Sequence, residues 1–147
     1  MLSRPNQGEN LYLYLFATND IVASVLVREE KNEQVPIYYV SKVLRGVEQR
    51  YPVIEKIAYA VVISAARLRP YFQAHIIIVR IDIPLHKLLQ KVETSRRLIE
   101  WAIRLGEFDI RYEPKKALKA QVLADFVVEM SDLQKEVIEQ QAENKRE

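Results

Sequence analysis

Three carboxylates in this 147-residue sequence stand where side chains of that type are costly. Glu55 lies in YPVIEKIAYAV, one helical turn after Tyr51 and just short of Ala58, at the border of an apolar helix face. Asp82 closes HIIIVRID, an otherwise apolar run, and Asp125 sits inside VLADFVV among residues that favour burial. Burying a carboxylate costs on the order of several kcal/mol unless it is paired or bound to a metal. Carboxylates gathered from a helix, a strand end and a second helix are the donor set of a two-magnesium phosphodiester hydrolase. Hard cations take oxygen ligands, and two of them about 4 Å apart stabilise both the attacking and the leaving oxygen. Each residue also has a structural explanation. A first-turn glutamate is favoured by the helix dipole, an aspartate ahead of a proline-started helix serves as a cap or turn residue, and Asp125 can face solvent. Spacing alone leaves both readings open.

The elements that must position these groups are legible from periodicity. Leu11 to Ala17, Ile21 to Glu29 and Val35 to Val43 are rich in Val, Ile, Tyr and Leu, with short polar connections at 18–20 and 30–33. They predict three strands in a meander. The period then changes: Ile54, Ala58, Val61, Ala65 and Leu68 recur at helical spacing, with Pro52 in the first turn and Pro70 as the stop. HIIIVRID (75–82) predicts a strand buried on both faces, and PLHKLLQK a short helix. SRRLIEWAIRL (95–105) predicts a helix stopped by Gly106. FDIRYEP alternates as a fifth strand, VLADFVVEM predicts a further helix, and the charged LQKEVIEQQAENKRE a solvated or frayed one. The order β-β-β-α-β-α-α-β-α implies an α/β fold, a mixed sheet covered by helices.

Composition narrows the chemistry. The length suits one domain with a real core, taken as 11–130 after an N-terminal extension (1–10) and before a charged tail or linker (131–147). Without cysteine there are no disulfides and no thiolate catalysis or ligation. His75 and His86 are too few for a histidine-rich metal site, and three glycines argue against a phosphate-cradling loop. The longest largely apolar run, Ile57 to Ala66, is about half of what a membrane helix needs. With no apolar leader in MLSRPNQGEN, an intracellular, cytoplasmic setting without membrane contact is the expectation. The net −3 of residues 129–147 against +2 overall leaves a mildly basic body at +5. That is compatible with a nucleic-acid partner without demanding one.

Three longer stretches carry a resemblance. VPIYYVSKVLRGVEQRYPVIEKIAYAVVISAARLRPYF, then IIIVRIDIPLHKLL, then ETSRRLIEWAIRLGEFDIRYEPKKALKAQVLADFVVE closely resemble the ribonuclease H-like domain of gypsy-type LTR-retrotransposon reverse transcriptases, particularly plant elements. The similarity covers roughly residues 11–130. It implies the ribonuclease H fold: a five-stranded mixed sheet, first three strands antiparallel, flanked by helices. It further implies two magnesium ions held by an aspartate on the first strand, a glutamate on the first helix, an aspartate ending the fourth strand and an aspartate on the last helix. In active members these ions cut the RNA strand of an RNA/DNA hybrid. By motif Glu55, Asp82 and Asp125 match the last three positions. Counting back from SVL (24–26), the first falls on Phe16, which cannot ligate a metal. Asp20, four residues on, would sit on the order of 13 Å away along an extended strand.

The resemblance therefore implies a catalytically degenerate domain that connects flanking reverse transcriptase and downstream polyprotein domains or grips an RNA/DNA hybrid, with magnesium bound weakly if at all. The alternatives are an active magnesium-dependent endonuclease, with Asp20 or a water completing the site, and an interaction domain with no nucleic-acid role. Candidate nucleic-acid contacts are Lys42, Arg45, Arg50, Arg96, Arg97 and the Lys115, Lys116, Lys119 cluster, each of which also reads as part of a solvated basic face. Trp101, with Leu98 and Leu105, is expected in the core.

Overall fold

The computed structural model describes residues 2–82 and 95–146. The helix expected over PLHKLLQK lies outside the described residues. Strands β1 (Leu11–Ala17), β2 (Ile21–Glu30) and β3 (Glu33–Val43) form the expected antiparallel meander. The β2–β3 connection is tighter than its polar run suggested. Lys31 and Asn32 alone make the turn, both at positive φ (50° and 68°), as a two-residue hairpin loop requires. Strands β4 (Ile77–Arg80) and β5 (Ile110–Glu113) add parallel to β1, giving the order β3-β2-β1-β4-β5. This is the five-stranded mixed α/β sheet that the sequence implied.

Helix α1 (Val53–Arg67) lies on one face of the sheet. Leu11, Leu13, Val22 and Leu26 point toward it, and Ala58, Val61, Ala65 and Leu68 meet them in the larger core. Ser24 and Ser64 share a 2.6 Å hydrogen bond within this layer, so this buried polar pair between strand and helix is satisfied. Pro70 does not close α1, as its position suggested. The helix ends at Arg67, and Pro70 sits in the first turn of a second helix, α2 (Arg69–Ala74). A proline there costs nothing, since first-turn N–H groups have no intrahelical acceptor. Helix α3 (Arg96–Leu105) buries Leu98, Trp101 and Leu105 against α1, which places Trp101 in the core.

Strand alternation sends Tyr12, Tyr14 and Phe16 to the opposite face. There α4 (Ala120–Arg146) covers β2 and β3 with Val122 and Phe126. The helix predicted from VLADFVVEM and the charged stretch after it form one continuous 27-residue helix. Its distal half is not wholly solvated: Val137 is buried, and Arg45 donates to Gln140 at 2.9 Å. No helix among the described residues is long and apolar enough to cross a membrane.

Candidate active-site region

The three carboxylates have unlike surroundings. Only Glu55 is buried, at 5% exposure. Ser95, the N-cap of α3, accepts from the Leu98 N–H and donates its hydroxyl to Glu55 Oε1 at 2.6 Å. Arg97, in the first turn of α3, reaches Glu55 Oε2 at 3.1 Å while its guanidinium lies 3.9 Å from the centre of the Tyr51 ring. The glutamate is thus held by the positive end of a helix and by a cation stacked on an aromatic face. Asp82 is exposed and accepts the backbone N–H of Lys115 at 3.0 Å, which ties the end of β4 to the segment leaving β5. Asp125 is exposed on α4; its apolar neighbours in sequence are divided, with Phe126 buried and Val127 and Val128 facing solvent. Burial, and then the nearby Asp125 and Glu129 charges, push the Tyr39 hydroxyl up to about 12.

Phe16 points to the α4 side and packs on Phe126, ring centroids 4.3 Å apart and tilted by 33°. Tyr39 meets the same Phe126 ring at 5.7 Å. The Lys115 ammonium stands 5.5 Å from the centre of the Phe16 ring. Asp20 belongs to the tight β1–β2 turn, where Thr18 N–H donates to the Ile21 carbonyl at 2.8 Å. Its own carbonyl is taken by Leu44 N–H, and its carboxylate is within 3.5 Å of Gln49 Nε2. Among the described residues no three His, Asp or Glu side chains converge on one cation position. The side chains present do not fit the pair of magnesium ions that the resemblance implies. In place of four converging carboxylates there is an aromatic pair, a carboxylate already neutralised by Arg97, and two exposed aspartates.

The basic candidates divide in the same way. Lys42 is held by Glu48 at 2.9 Å and by the Tyr59 hydroxyl at 2.5 Å, Arg96 pairs with Glu100 one turn along α3, and Arg45 with Gln140. Arg50, Lys115, Lys116 and Lys119 are exposed. Two residues that sequence reasoning passed over matter locally. Ser95 is recognisable afterwards as a cap, since it stands before the amphipathic run beginning at Arg96. Lys56 is buried and donates to the Asn19 carbonyl at 3.0 Å, fastening α1 to the β1–β2 turn; no sequence signal marks it.

A parallel β1–β4 pair flanked by antiparallel β2 and β3, with helices on both faces, defines the ribonuclease H-like class of α/β domain. Residues 6–108 match the family described as "RNase H-like domain found in reverse transcriptase", and the chain belongs to that family. It is 30% identical over 129 residues to the retrovirus-related Pol polyprotein from transposon opus of Drosophila melanogaster. That alignment takes in 85% of this chain and 13% of the polyprotein, so the chain spans a small part of its relative. Among solved structures it is similar to the foamy viral protease-reverse transcriptase in complex with dsDNA (TM-score 0.56, 23% identity, 80% of this chain and 26% of that one). It is also similar to the native prototype foamy virus protease-reverse transcriptase (TM-score 0.53, 18% identity, 77% and 16%). At these identities the likeness concerns the fold.

Proposed function

We propose that this chain is the ribonuclease H-like domain of a gypsy-type retrotransposon reverse transcriptase in which the two-metal site is degenerate, and that it acts as a connecting or RNA/DNA-hybrid-binding module. The observation that carries the reading is the packing of Phe16 on Phe126 beneath the Lys115 ammonium. A strand position meant for a metal-bridging carboxylate would not be filled by a ring stacked on the neighbouring helix. The capture of Glu55 by Ser95 and Arg97 supports the same reading, because a carboxylate with a fixed protein cation gains less from a metal. Under this proposal Glu55, Asp82 and Asp125 are remnants of the catalytic set. The exposed Arg50, Lys115, Lys116 and Lys119 supply salt-dependent attraction to phosphates.

The test is incubation of the purified chain with a labelled RNA/DNA hybrid in magnesium and in manganese. The expected result is hybrid binding that weakens with salt and no cleavage above background. Robust cleavage that disappears in Asp82→Asn would overturn the degenerate reading, and salt-independent or absent hybrid binding would remove the hybrid-binding role. Phe16→Asp should raise manganese affinity measurably by calorimetry; no rise at all would show that residue 16 is not the lost ligand position.

A further inference from the structure

The outer edge of β3 carries an opening that the remnant carboxylates do not explain. In the β1–β2 hairpin, Thr18 and Ile21 form a hydrogen-bonded pair, so Ile21, Ala23 and Val25 bond toward β1 and Val22, Ser24 and Leu26 toward β3. Their partners Lys42, Val40 and Tyr38 face inward, and the alternate residues Ser41, Tyr39 and Ile37 direct their backbone groups away from the sheet. Two of these are occupied: the Ile37 carbonyl accepts Leu2 N–H at 2.9 Å, and the Ser41 carbonyl accepts Arg67 Nη1 at 2.7 Å. Between them lies Tyr39. Among the described residues, neither its outward N–H nor its outward carbonyl has a partner.

This gap opens into a recess of about 450 Å³ lined by Tyr38, Tyr39, Arg67, Pro70 and Tyr71, among others. Tyr38 is 36% exposed, and its ring meets Tyr71 edge-on, centroids 6.0 Å apart at 63°. Among the described residues no carboxylate lines the recess, and a carbonyl does not cancel the Arg67 charge. Leu2 and Arg67 block the edge on either side, so an added strand has room for one residue only. What fits is a single planar group with an acceptor and a donor side by side, an aromatic face and a nearby negative charge. The Watson–Crick edge of a nucleobase offers that pair, the base offers the face, and its phosphate the charge.

We infer that the recess at the outer edge of β3 binds one unpaired nucleotide: the base packs on Tyr38, its hydrogen-bonding edge meets the Tyr39 backbone, and its phosphate lies toward Arg67. Because base pairing consumes that edge in a duplex, the site selects single-stranded nucleic acid. A blunt hybrid reports on the function proposed above, and a single strand reports on this recess, so failure of one leaves the other standing.

The experiment is anisotropy titration of a labelled single-stranded DNA of about eight nucleotides against the full chain, Tyr38→Ala and Tyr38→Phe, with thermal melts confirming that each variant is folded. Tyr38→Ala should weaken binding about fivefold or more, as loss of a base-stacking ring does, while Tyr38→Phe stays within about twofold. An abasic strand of equal length should bind the full chain no better than the intact strand binds Tyr38→Ala. In ¹⁵N spectra the Tyr39 amide should move on titration. Equal affinity of the full chain and Tyr38→Ala, equal binding of the abasic strand, or a stationary Tyr39 amide would overturn the inference. So would binding of neither strand, the outcome if the recess holds a peptide side chain.

Discussion

Arg80 and Glu55 are both buried charged side chains, and their surroundings differ. Arg80, on β4, is enclosed by protein groups that match it. Glu29 and Glu113 each bond it at 2.6 Å, the Tyr14 hydroxyl accepts from it at 2.7 Å, and its guanidinium lies 3.9 Å from the centre of the Tyr12 ring. Burial works against its charge, but the bonds from Glu29, Glu113 and Tyr14 outweigh that and hold it more firmly protonated than a free arginine. Glu55, on α1, has one hydroxyl and one cation, and that cation is itself partly in solvent. The first site is a closed structural knot across β2, β4 and β5. The second is a carboxylate whose charge has been met by the nearest helix start. A buried charge needs partners, but nothing requires that they be metals.

Replacing Arg80 should have the larger effect. Arg80→Leu leaves two carboxylates and a hydroxyl without their cation, and urea unfolding should register a loss of about 3 kcal/mol. A loss below about 1 kcal/mol would mean that water already screens the knot and that the two regions are alike. Glu55→Gln keeps the size and the Ser95 contact but removes the charge facing Arg97, with an expected loss of about 1 kcal/mol by the same measurement. A gain instead would show that Glu55 is held at a cost, as a functional carboxylate is.

The smallest effect concerns Glu48, which accepts from Lys42 and the Tyr59 hydroxyl beside the Tyr59–Trp101 stack. Burial raises its pKa, but the bonds from Tyr59 and Lys42 prevail and hold it below the ordinary 4.5. A lowered folded-state value means that the pairing contributes fully above pH 4.5 and is lost as pH falls through that lower value. The stability difference between the protein and Glu48→Gln, under about 1 kcal/mol at pH 7 for a half-open pair, should shrink on acidification below 4.5. A difference that stays constant would mean that Glu48 acts through packing alone.

Much of the architecture was legible because hydrophobic periodicity records burial directly. The apolar run LYLYLFA and the helical spacing from Ile54 to Leu68 mark a strand and a helix face that meet the core, and they do. Pro70 misled because a proline ends one helix and starts another by the same local chemistry. The continuity of α4 was hidden by its change in composition, since a charged stretch declares exposure without declaring where a helix stops. At the candidate site the sequence supplied residue types and chain order. It could not supply partners: Ser95 and Arg97 lie 40 and 42 positions from Glu55, and Lys115 lies 33 from Asp82.

The sequence by itself determined the five strands, the faces of the main helices, the family, and the presence of a phenylalanine where a carboxylate is implied, because these depend on local pattern and motif. The tertiary structure decided what became of the remaining charges. Whether a carboxylate is open to an ion or already neutralised depends on side chains that reach it through space. Glu55 is taken by α3, Asp82 by a backbone N–H, and Phe16 by an aromatic ring from α4. The edge of β3 follows the same logic, since only the register of the sheet reveals that Tyr39 turns its backbone outward between two occupied neighbours.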